Sequence, residues 1–298
     1  MHVEDRALPF TPPLCPDNLF GHLVATAVPG VEEWHDGAYR RTLALPGGPG
    51  VVSLRPGAGQ VDATLTLTDP ADAGEATRLA RRILDLDADP DAVDATLRAD
   101  AVLRPLVDGA PGRRVPGAPD ADEFAVRAVL GQQVSTAAAR THAGRLVRGH
   151  GSPLPEGFAG PGSTLSHLFP SAPALTAVDP DELGMPRTRK RTLLTLVRAL
   201  ADGEVVLDPA DVTASKAALA ALPGIGPWTV DTVAMRALGD TDAFLYSDLG
   251  VRAAAERLDL PARDRDLVAR AEAWRPYRAY ATQYLWAALD HAVNVMPG

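Results

Sequence analysis

The stretch LPGIGPWT, residues 222–229, combines a flexible turn with a large aromatic side chain. Gly224 and Gly226 permit positive φ angles and close approach of a ligand, while Pro227 suits the first position of a helix. We therefore expect a helix–hairpin–helix, in which several backbone N–H groups converge at a helix N-terminus. Such a site binds anions without any lysine, and a DNA phosphate would suit it. An ordinary tight connection between packed helices is the alternative.

A carboxylate follows the turn at a useful distance. Asp248, within AFLYSDLGVRAAAERL (243–258), comes after one helix and a loop, so the chain can return it to the mouth of the hairpin. Ser247 or Asp248 is also suited to accept a backbone N–H as a helix N-cap. The two roles are compatible, because capping holds a carboxylate still.

The elements that must position these residues form an α+β chain. Residues 39–69 alternate apolar and polar side chains between Pro/Gly turns, as antiparallel strands do. From residue 70 onward the apolar spacing becomes helical, and no convincing strand follows. We predict an N-terminal sheet domain with helices over 1–92 and a helical region of two subdomains over 93–298, with the cleft between them. Ser135 and Thr213 are the expected N-caps of two of these helices.

Composition narrows the class of protein. With 298 residues, 46% hydrophobic and 22% charged, the chain is long enough to bury a core. Cys15 is the only cysteine and the histidines lack ligand spacing, so we expect no disulfide, metal or cofactor. No apolar run approaches the ~18 residues of a membrane span, and the first residues lack the pattern of a secretory signal. We expect a cytoplasmic protein.

The charge is unevenly distributed. Residues 1–100 carry 16 acidic against 8 basic side chains, and residues 101–298 carry 22 against 21, which together give the net charge of −9. Lys190 and Lys216 are the only lysines, so the basic charge is nearly all arginine, the better bidentate phosphate ligand. A polyanionic partner therefore stays possible for the second part. For the basic run RTRKR (187–191), a solvated helix face is favoured over a phosphate contact.

Several motifs in order carry a family resemblance. LPGIGPWTVDTVAMRAL and DAFLYSDLGVR, with RVPGAPDADEFAVRAVLGQQVS upstream and LGMPRTRKRTLLTLVRAL between, resemble the 3-methyladenine-DNA glycosylase II type of helix–hairpin–helix DNA glycosylases. The resemblance covers nearly the whole chain. It implies hydrolysis of the N-glycosidic bond of alkylated bases in duplex DNA, after base flipping. It further implies base excision repair by a monomer near the bacterial nucleoid.

The resemblance also assigns roles to residues. Asp248 matches the catalytic aspartate, and Trp228 and Trp286 match pocket tryptophans. An indole face stacks well on a cationic base, and a carboxylate ~4 Å from a developing sugar cation contributes about 4 kcal/mol at an effective dielectric of ~20. The residues predicted to contact DNA are Gly224, Ile225, Gly226, Thr229, Gln132 and Gln133, with the last two as candidate wedges.

The chain departs from the family pattern in its pocket. His22, Thr232 and Leu249 stand where the best-known member has aromatic side chains, so the predicted aromatic cage is thinner. Tyr246 and Tyr284 are expected to compensate, and His22 is a candidate hydrogen-bond donor to a neutral base.

Two alternative functions and one structural alternative stay open. A bifunctional glycosylase/lyase would carry a lysine directly after the hairpin, where this chain has Trp228. A non-catalytic helix–hairpin–helix protein that only binds damaged DNA would not need Asp248. The tryptophans themselves could belong to the core.

Overall fold

The computed structural model describes residues 1–261 and 263–298 and confirms the α+β fold. Five strands precede all helices except the first. The strands are β1 His2–Pro9, β2 Glu32–His35, β3 Ala38–Leu45, β4 Gly48–Pro56 and β5 Gln60–Leu67. The helices are α1 Pro16–Ala25, α2 Ala73–Ile83, α3 Pro90–Arg98, α4 Arg104–Gly109, α5 Ala121–Leu130, α6 Thr136–His150, α7 Ala172–Leu175, α8 Arg187–Ala201, α9 Val212–Ala220, α10 Pro227–Ala237, α11 Leu249–Arg257, α12 Asp264–Ala271 and α13 Arg278–Ala287.

The sheet is antiparallel throughout, with the strand order β1-β5-β4-β3-β2. Its alternating sequence buries one face, because side chains two residues apart point the same way. In β5 the buried side chains are Val61, Ala63, Leu65 and Leu67. Helices α1 and α2 cover this face and complete one apolar cluster.

The helices after α2 form two further apolar clusters. One joins α5, α6, α7, α8 and α9 to part of α10, and the other joins α3 and α4 to α10, α11, α12 and α13. Helix α10 contributes Val230 and Val233 to the first cluster and Ala234 and Met235 to the second. It therefore lies between the two groups of helices. The predicted domain boundary at residue 92 stays a prediction.

A buried network of charges ties the sheet to α5. Arg41 pairs with Glu32 at 3.4 Å and with Glu123 at 2.8 Å, and Arg127 bridges the same two carboxylates at 3.0 and 2.8 Å. Burial alone would raise the pKa of Glu32, but Arg127 and Arg41 outweigh it and hold the pKa at about 2. The network fixes the orientation of α5, whose end leads into the loop that holds both glutamines predicted to act as a wedge.

Of the helix N-caps predicted at Ser135 and Thr213, one is present. Ser135 does cap α6, where its hydroxyl accepts from the N–H of Ala138. The cap predicted at Thr213 is wrong, because the Asp211 carboxylate accepts from Ala214 at 3.0 Å and starts α9 two residues earlier. Within the described ranges, no helix combines the length and apolar character needed to cross a membrane.

Candidate active site

A cleft of about 1120 Å³ opens between the two groups of helices. Its walls come from α1, α5, α6, the turn before α10, α10 itself, the start of α11 and the end of α13. Eleven of the predicted site residues line it, and they come from segments far apart in sequence. They are His22, Gln132, Gln133, Gly224, Gly226, Trp228, Thr229, Thr232, Asp248, Leu249 and Trp286.

Asp248 is held by three hydrogen bonds. Its backbone is extended and its Oδ1 accepts from the N–H of Val251 at 3.0 Å, so it is the N-cap of α11. The indole of Trp228 donates to Oδ2 at 2.9 Å, and the indole of Trp286 donates to Oδ1 at 2.9 Å. Both carboxylate oxygens are therefore oriented by neutral donors, which bring no positive charge to the carboxylate.

The predicted helix–hairpin–helix is present. Helix α9 ends at Ala220, and α10 begins at Pro227 as expected. Gly224 has φ +86°, and a Cβ there would lie 2.0 Å from Oγ1 of Thr192 in α8, so both the backbone and the packing require glycine.

Within the described residues, the N–H groups of Gly224, Gly226 and Trp228 have no hydrogen-bond partner. These three donors lie around the beginning of α10, where the helix dipole also favours an anion. The turn has the features of an anion site.

Gln132 and Gln133 play different structural parts. The amide of Gln132 donates to the carbonyl of Gly224 at 3.1 Å and to the hydroxyl of Thr229 at 2.9 Å, and so ties its loop to the hairpin. Gln133 is exposed and has φ +54°, a conformation that is uncommon outside glycine. Of the two candidate wedges, Gln133 has the side chain that projects from the protein.

His22 lies against the catalytic candidates from the α1 side. Its ring stacks on Trp286, with centroids 5.8 Å apart, and its Nε2 accepts from Nη1 of Arg236 at 2.8 Å. An arginine can only donate, so the single proton of the neutral ring is on Nδ1. Burial, followed by the charges of Arg236 and Arg127, lowers the pKa of His22 well below its usual value. His22 therefore cannot readily donate a proton as an acid, although its Nδ1–H is still a hydrogen-bond donor.

Arg236 is the site residue that sequence reasoning missed. It lies on α10 beside His22 and is buried, and its guanidinium stacks 4.8 Å from the Phe124 ring. Burial and then the charge of Arg127 lower the pKa of Arg236 to about 9, so it is still a cation at neutral pH. The spacing of Trp228, Thr232 and Arg236, each four residues apart, places all three on one face of a helix and could have identified it.

Three predicted residues do not line the cleft. Ile225 packs into the apolar cluster of the first helix group, and its N–H is bonded to the carbonyl of Leu222. Tyr284 is fully buried, with its hydroxyl donating to Asp94 at 2.7 Å, so the expectation that it compensates for missing aromatics is wrong. Tyr246 packs against the second helix group and is likewise absent from the cleft wall.

The basic run at the start of α8 lies beside the hairpin, because Thr192 faces Gly224. Arg187 and Arg191 are exposed, and neither forms an ion pair within the part of the chain that the structure describes. That this basic run forms a solvated helix face stays a prediction.

Comparison with known proteins supports the resemblance seen in the sequence. Residues 5–120 match the family described as the AlkA N-terminal domain. A protein of Escherichia coli named DNA-3-methyladenine glycosylase 2 is 33% identical over 277 residues, which are 90% of this chain and 92% of that protein.

A second relative is longer than this chain. The protein of Mycobacterium tuberculosis named probable bifunctional transcriptional activator/DNA repair enzyme AlkA is 52% identical over 97% of this chain. The chain spans only 58% of that relative.

A solved structure has the same fold. It is a 3-methyladenine DNA-glycosylase from Archaeoglobus fulgidus, with a TM-score of 0.77 at 20% identity, covering 95% of this chain and 97% of that one.

Proposed function

The chain belongs to the family of the DNA-3-methyladenine glycosylase 2 (AlkA) proteins, and on that premise we propose that it is a monofunctional DNA glycosylase. It hydrolyses the N-glycosidic bond of alkylated bases, of the 3-methyladenine and 7-methylguanine type, in duplex DNA. The observation that carries the proposal is the carboxylate of Asp248, held at both oxygens by the indoles of Trp228 and Trp286 in the cleft wall.

The chemistry follows from the charge of the carboxylate. A purine alkylated at a ring nitrogen is a cation and leaves readily as a neutral base, so no strong general acid is needed. The sugar then develops positive charge, which the anionic Asp248 stabilises by about 4 kcal/mol if it lies ~4 Å away at an effective dielectric of ~20. Because its oxygens are already oriented, the carboxylate needs little reorganisation as the bond breaks. The same group then orients the attacking water.

Access to Asp248 requires the base to leave the duplex, which costs a few kcal/mol and is easiest at damaged pairs. The hairpin N–H groups are suited to a backbone phosphate near the flipped nucleotide. Gln133, exposed on the loop tied to the hairpin, is suited to fill the vacated stack. Its amide can form hydrogen bonds with the base left unpaired.

The placement of the lysines favours the monofunctional reaction. A lyase attacks the sugar with a neutral amine, but Trp228 occupies the position after the hairpin. Lys216 is ion-paired with Asp231 at 2.9 Å and Asp240 at 3.4 Å. Burial would lower the pKa of Lys216, but these carboxylates outweigh it and raise the pKa, so the amine stays protonated.

The test is base release by Asp248→Asn. Asn keeps the size and the capping oxygen but removes the charge, so single-turnover excision of 7-methylguanine should fall by orders of magnitude while duplex affinity changes little. Asp89→Asn is the matched control, because Asp89 also caps a helix, α3, and lies outside the cleft wall. Near-normal excision by Asp248→Asn would exclude its catalytic role.

A second measurement separates the alternatives. Borohydride should trap no protein–DNA adduct, and strand breaks should appear only after alkali. Trapping that disappears in Lys190→Ala or Lys216→Ala would establish the lyase. Tight binding of damaged duplex by a wild-type protein that releases no base would support a damage-binding protein instead.

A further inference from the structure

The innermost wall of the cleft is polar. Thr232 and Arg236 follow Trp228 along one face of α10, and His22 of α1 meets them from the other side. We call Thr232, Arg236 and His22 the polar floor. All three side chains are more than nine-tenths buried and line the cleft. Neither hydrolysis nor phosphate binding, as proposed above, uses any of them.

The guanidinium of Arg236 has N–H donors that no protein group accepts from in the described part of the chain. Its Nε donates to the carbonyl of Pro116 at 2.7 Å and its Nη1 to His22 at 2.8 Å. Its Nη2 has no hydrogen-bond partner, and its charge has no carboxylate within salt-bridge distance, among residues 1–261 and 263–298. A buried guanidinium without an anion favours a ligand that accepts hydrogen bonds.

Thr232 gives a second, independent observation. Its Oγ1 is buried and has no hydrogen-bond partner in the described part of the chain. Buried hydroxyls are nearly always paired, and one left unpaired on the wall of a cleft indicates a polar group of the ligand. Since it lies one helical turn from Arg236, both can reach the same edge of a flat molecule.

We propose that the polar floor reads the edge of the flipped base and favours purines with a carbonyl oxygen at position 6 over those that lack it. This rests on the proposed glycosylase function. Arginine has only donors, so it pairs with the oxygen of 7-methylguanine or hypoxanthine but opposes the N–H groups of 3-methyladenine. A site with buried donors discriminates strongly against a ligand that leaves them unpaired.

The test uses two neutral lesions, so that attraction of a cationic base to the indoles does not affect the comparison of their rates. Hypoxanthine carries the 6-oxo group, and unsubstituted purine lacks it. Wild-type protein should release hypoxanthine at least about tenfold faster in single-turnover assays on matched duplexes. In Thr232→Val the ratio of the two rates should fall about 3- to 10-fold, and in Arg236→Lys, which loses the planar fork, by about tenfold or more.

Thr232→Val should fold normally, because the hydroxyl that it removes has no hydrogen-bond partner. A changed ratio in this variant therefore does not reflect misfolding. Thr77→Val is its matched control: Thr77 lies on α2, bonded to a helix carbonyl, and should leave the ratio as it is. A wild-type ratio near one, or a ratio that neither floor variant changes, would overturn the role of the floor while the glycosylase proposal stands.

The affinity of Asp248→Asn for the two duplexes gives a readout without catalysis. Tighter binding of the hypoxanthine duplex, lost on adding Thr232→Val, supports the floor even if the wild-type protein releases no base. Equal binding of the two duplexes in that case would overturn both proposals.

Discussion

The indole N–H of Trp286 donates to Oδ1 of Asp248 over 2.9 Å, from a position 38 residues further along the chain. The residue is therefore a positioning group for the carboxylate as well as a candidate stacking surface. Trp228 does the same for Oδ2 from the other side. The two functions of each ring, its N–H and its face, can be separated by substitution.

Trp286→Phe keeps an aromatic face and removes the N–H. If the N–H matters, single-turnover excision should fall about 10- to 100-fold for cationic and neutral lesions alike, since a hydrogen bond to a charged group contributes about 1.5–3 kcal/mol. Trp34→Phe is the control, because that indole bonds to Gly298, away from the cleft. Normal excision by Trp286→Phe, with a loss in Trp286→Leu confined to cationic lesions, would leave stacking as its only role.

The two hairpin glycines should respond differently to alanine. Gly224→Ala places a Cβ on Thr192 at a positive φ, so the free energy of unfolding should fall by about 2 kcal/mol or more. Gly226 has φ −96° and open space where its Cβ would be, so Gly226→Ala should unfold normally. Its methyl group should nevertheless weaken binding to damaged and undamaged duplex alike. Thermal unfolding and duplex affinity test both; a loss confined to lesion-bearing DNA would contradict the phosphate site.

Substitutions of the two loop glutamines should also affect excision in different ways. Gln133→Gly removes the side chain without adding strain at its positive φ, and should slow excision most where the lesion is fully paired. Opposite an abasic site, where the base is already loosened, the loss should be small. Gln132→Ala breaks both bonds to the hairpin and should lower excision on both duplexes. Equal losses for Gln133→Gly on the two duplexes would argue against a wedge.

Asp85 offers a pH-dependent prediction about stability. It lies just after α2 and accepts from Val115 at 3.1 Å and Tyr280 at 2.9 Å, and burial raises its pKa to about 6. A carboxyl with a raised native pKa destabilises the fold when ionised, so the penalty is complete above pH 6 and disappears as the pH falls toward 4.

Asp85→Asn should therefore raise the free energy of unfolding by about 1–3 kcal/mol at pH 7.5 and by little at pH 4. Asparagine also suits the φ of +50°. Urea unfolding at the two pH values checks this, with substitution of the exposed Asp91 on α3, Asp91→Asn, as control. A destabilised variant at pH 7.5 would mean that the ionised form is the one that the fold prefers.

Local patterns predicted local structure well. The alternation in residues 39–69, the turn before Pro227 and the cap at Asp248 each depend on residues close in sequence, and each is present. The expectation that Tyr284 lines the pocket was wrong because Tyr284 precedes Trp286 by two residues. Two residues correspond to about 200° around a helix, so the two side chains cannot face the same cleft.

Contacts between distant residues were not predictable from such patterns. His22 meets Arg236 across 214 residues, and Glu32 meets Arg127 across the boundary between sheet and helices. One sequence contains no information on which buried charges pair. The packing of three apolar clusters decides that.

His22 belongs to the first helix, whereas Asp248 caps the eleventh, so one polar side chain of the cleft wall is encoded near the start of the chain and the carboxylate far from it. Selection can vary His22 without replacing any hydrogen-bond partner of Asp248. Libraries of variants confined to α1 and to the exposed Leu249 should thus change which lesions are preferred, while catalysis by Asp248 is retained. The same arrangement means that recombination that exchanges N-terminal segments between homologues transfers the residue at position 22, and its share of the lesion preference, in a single event.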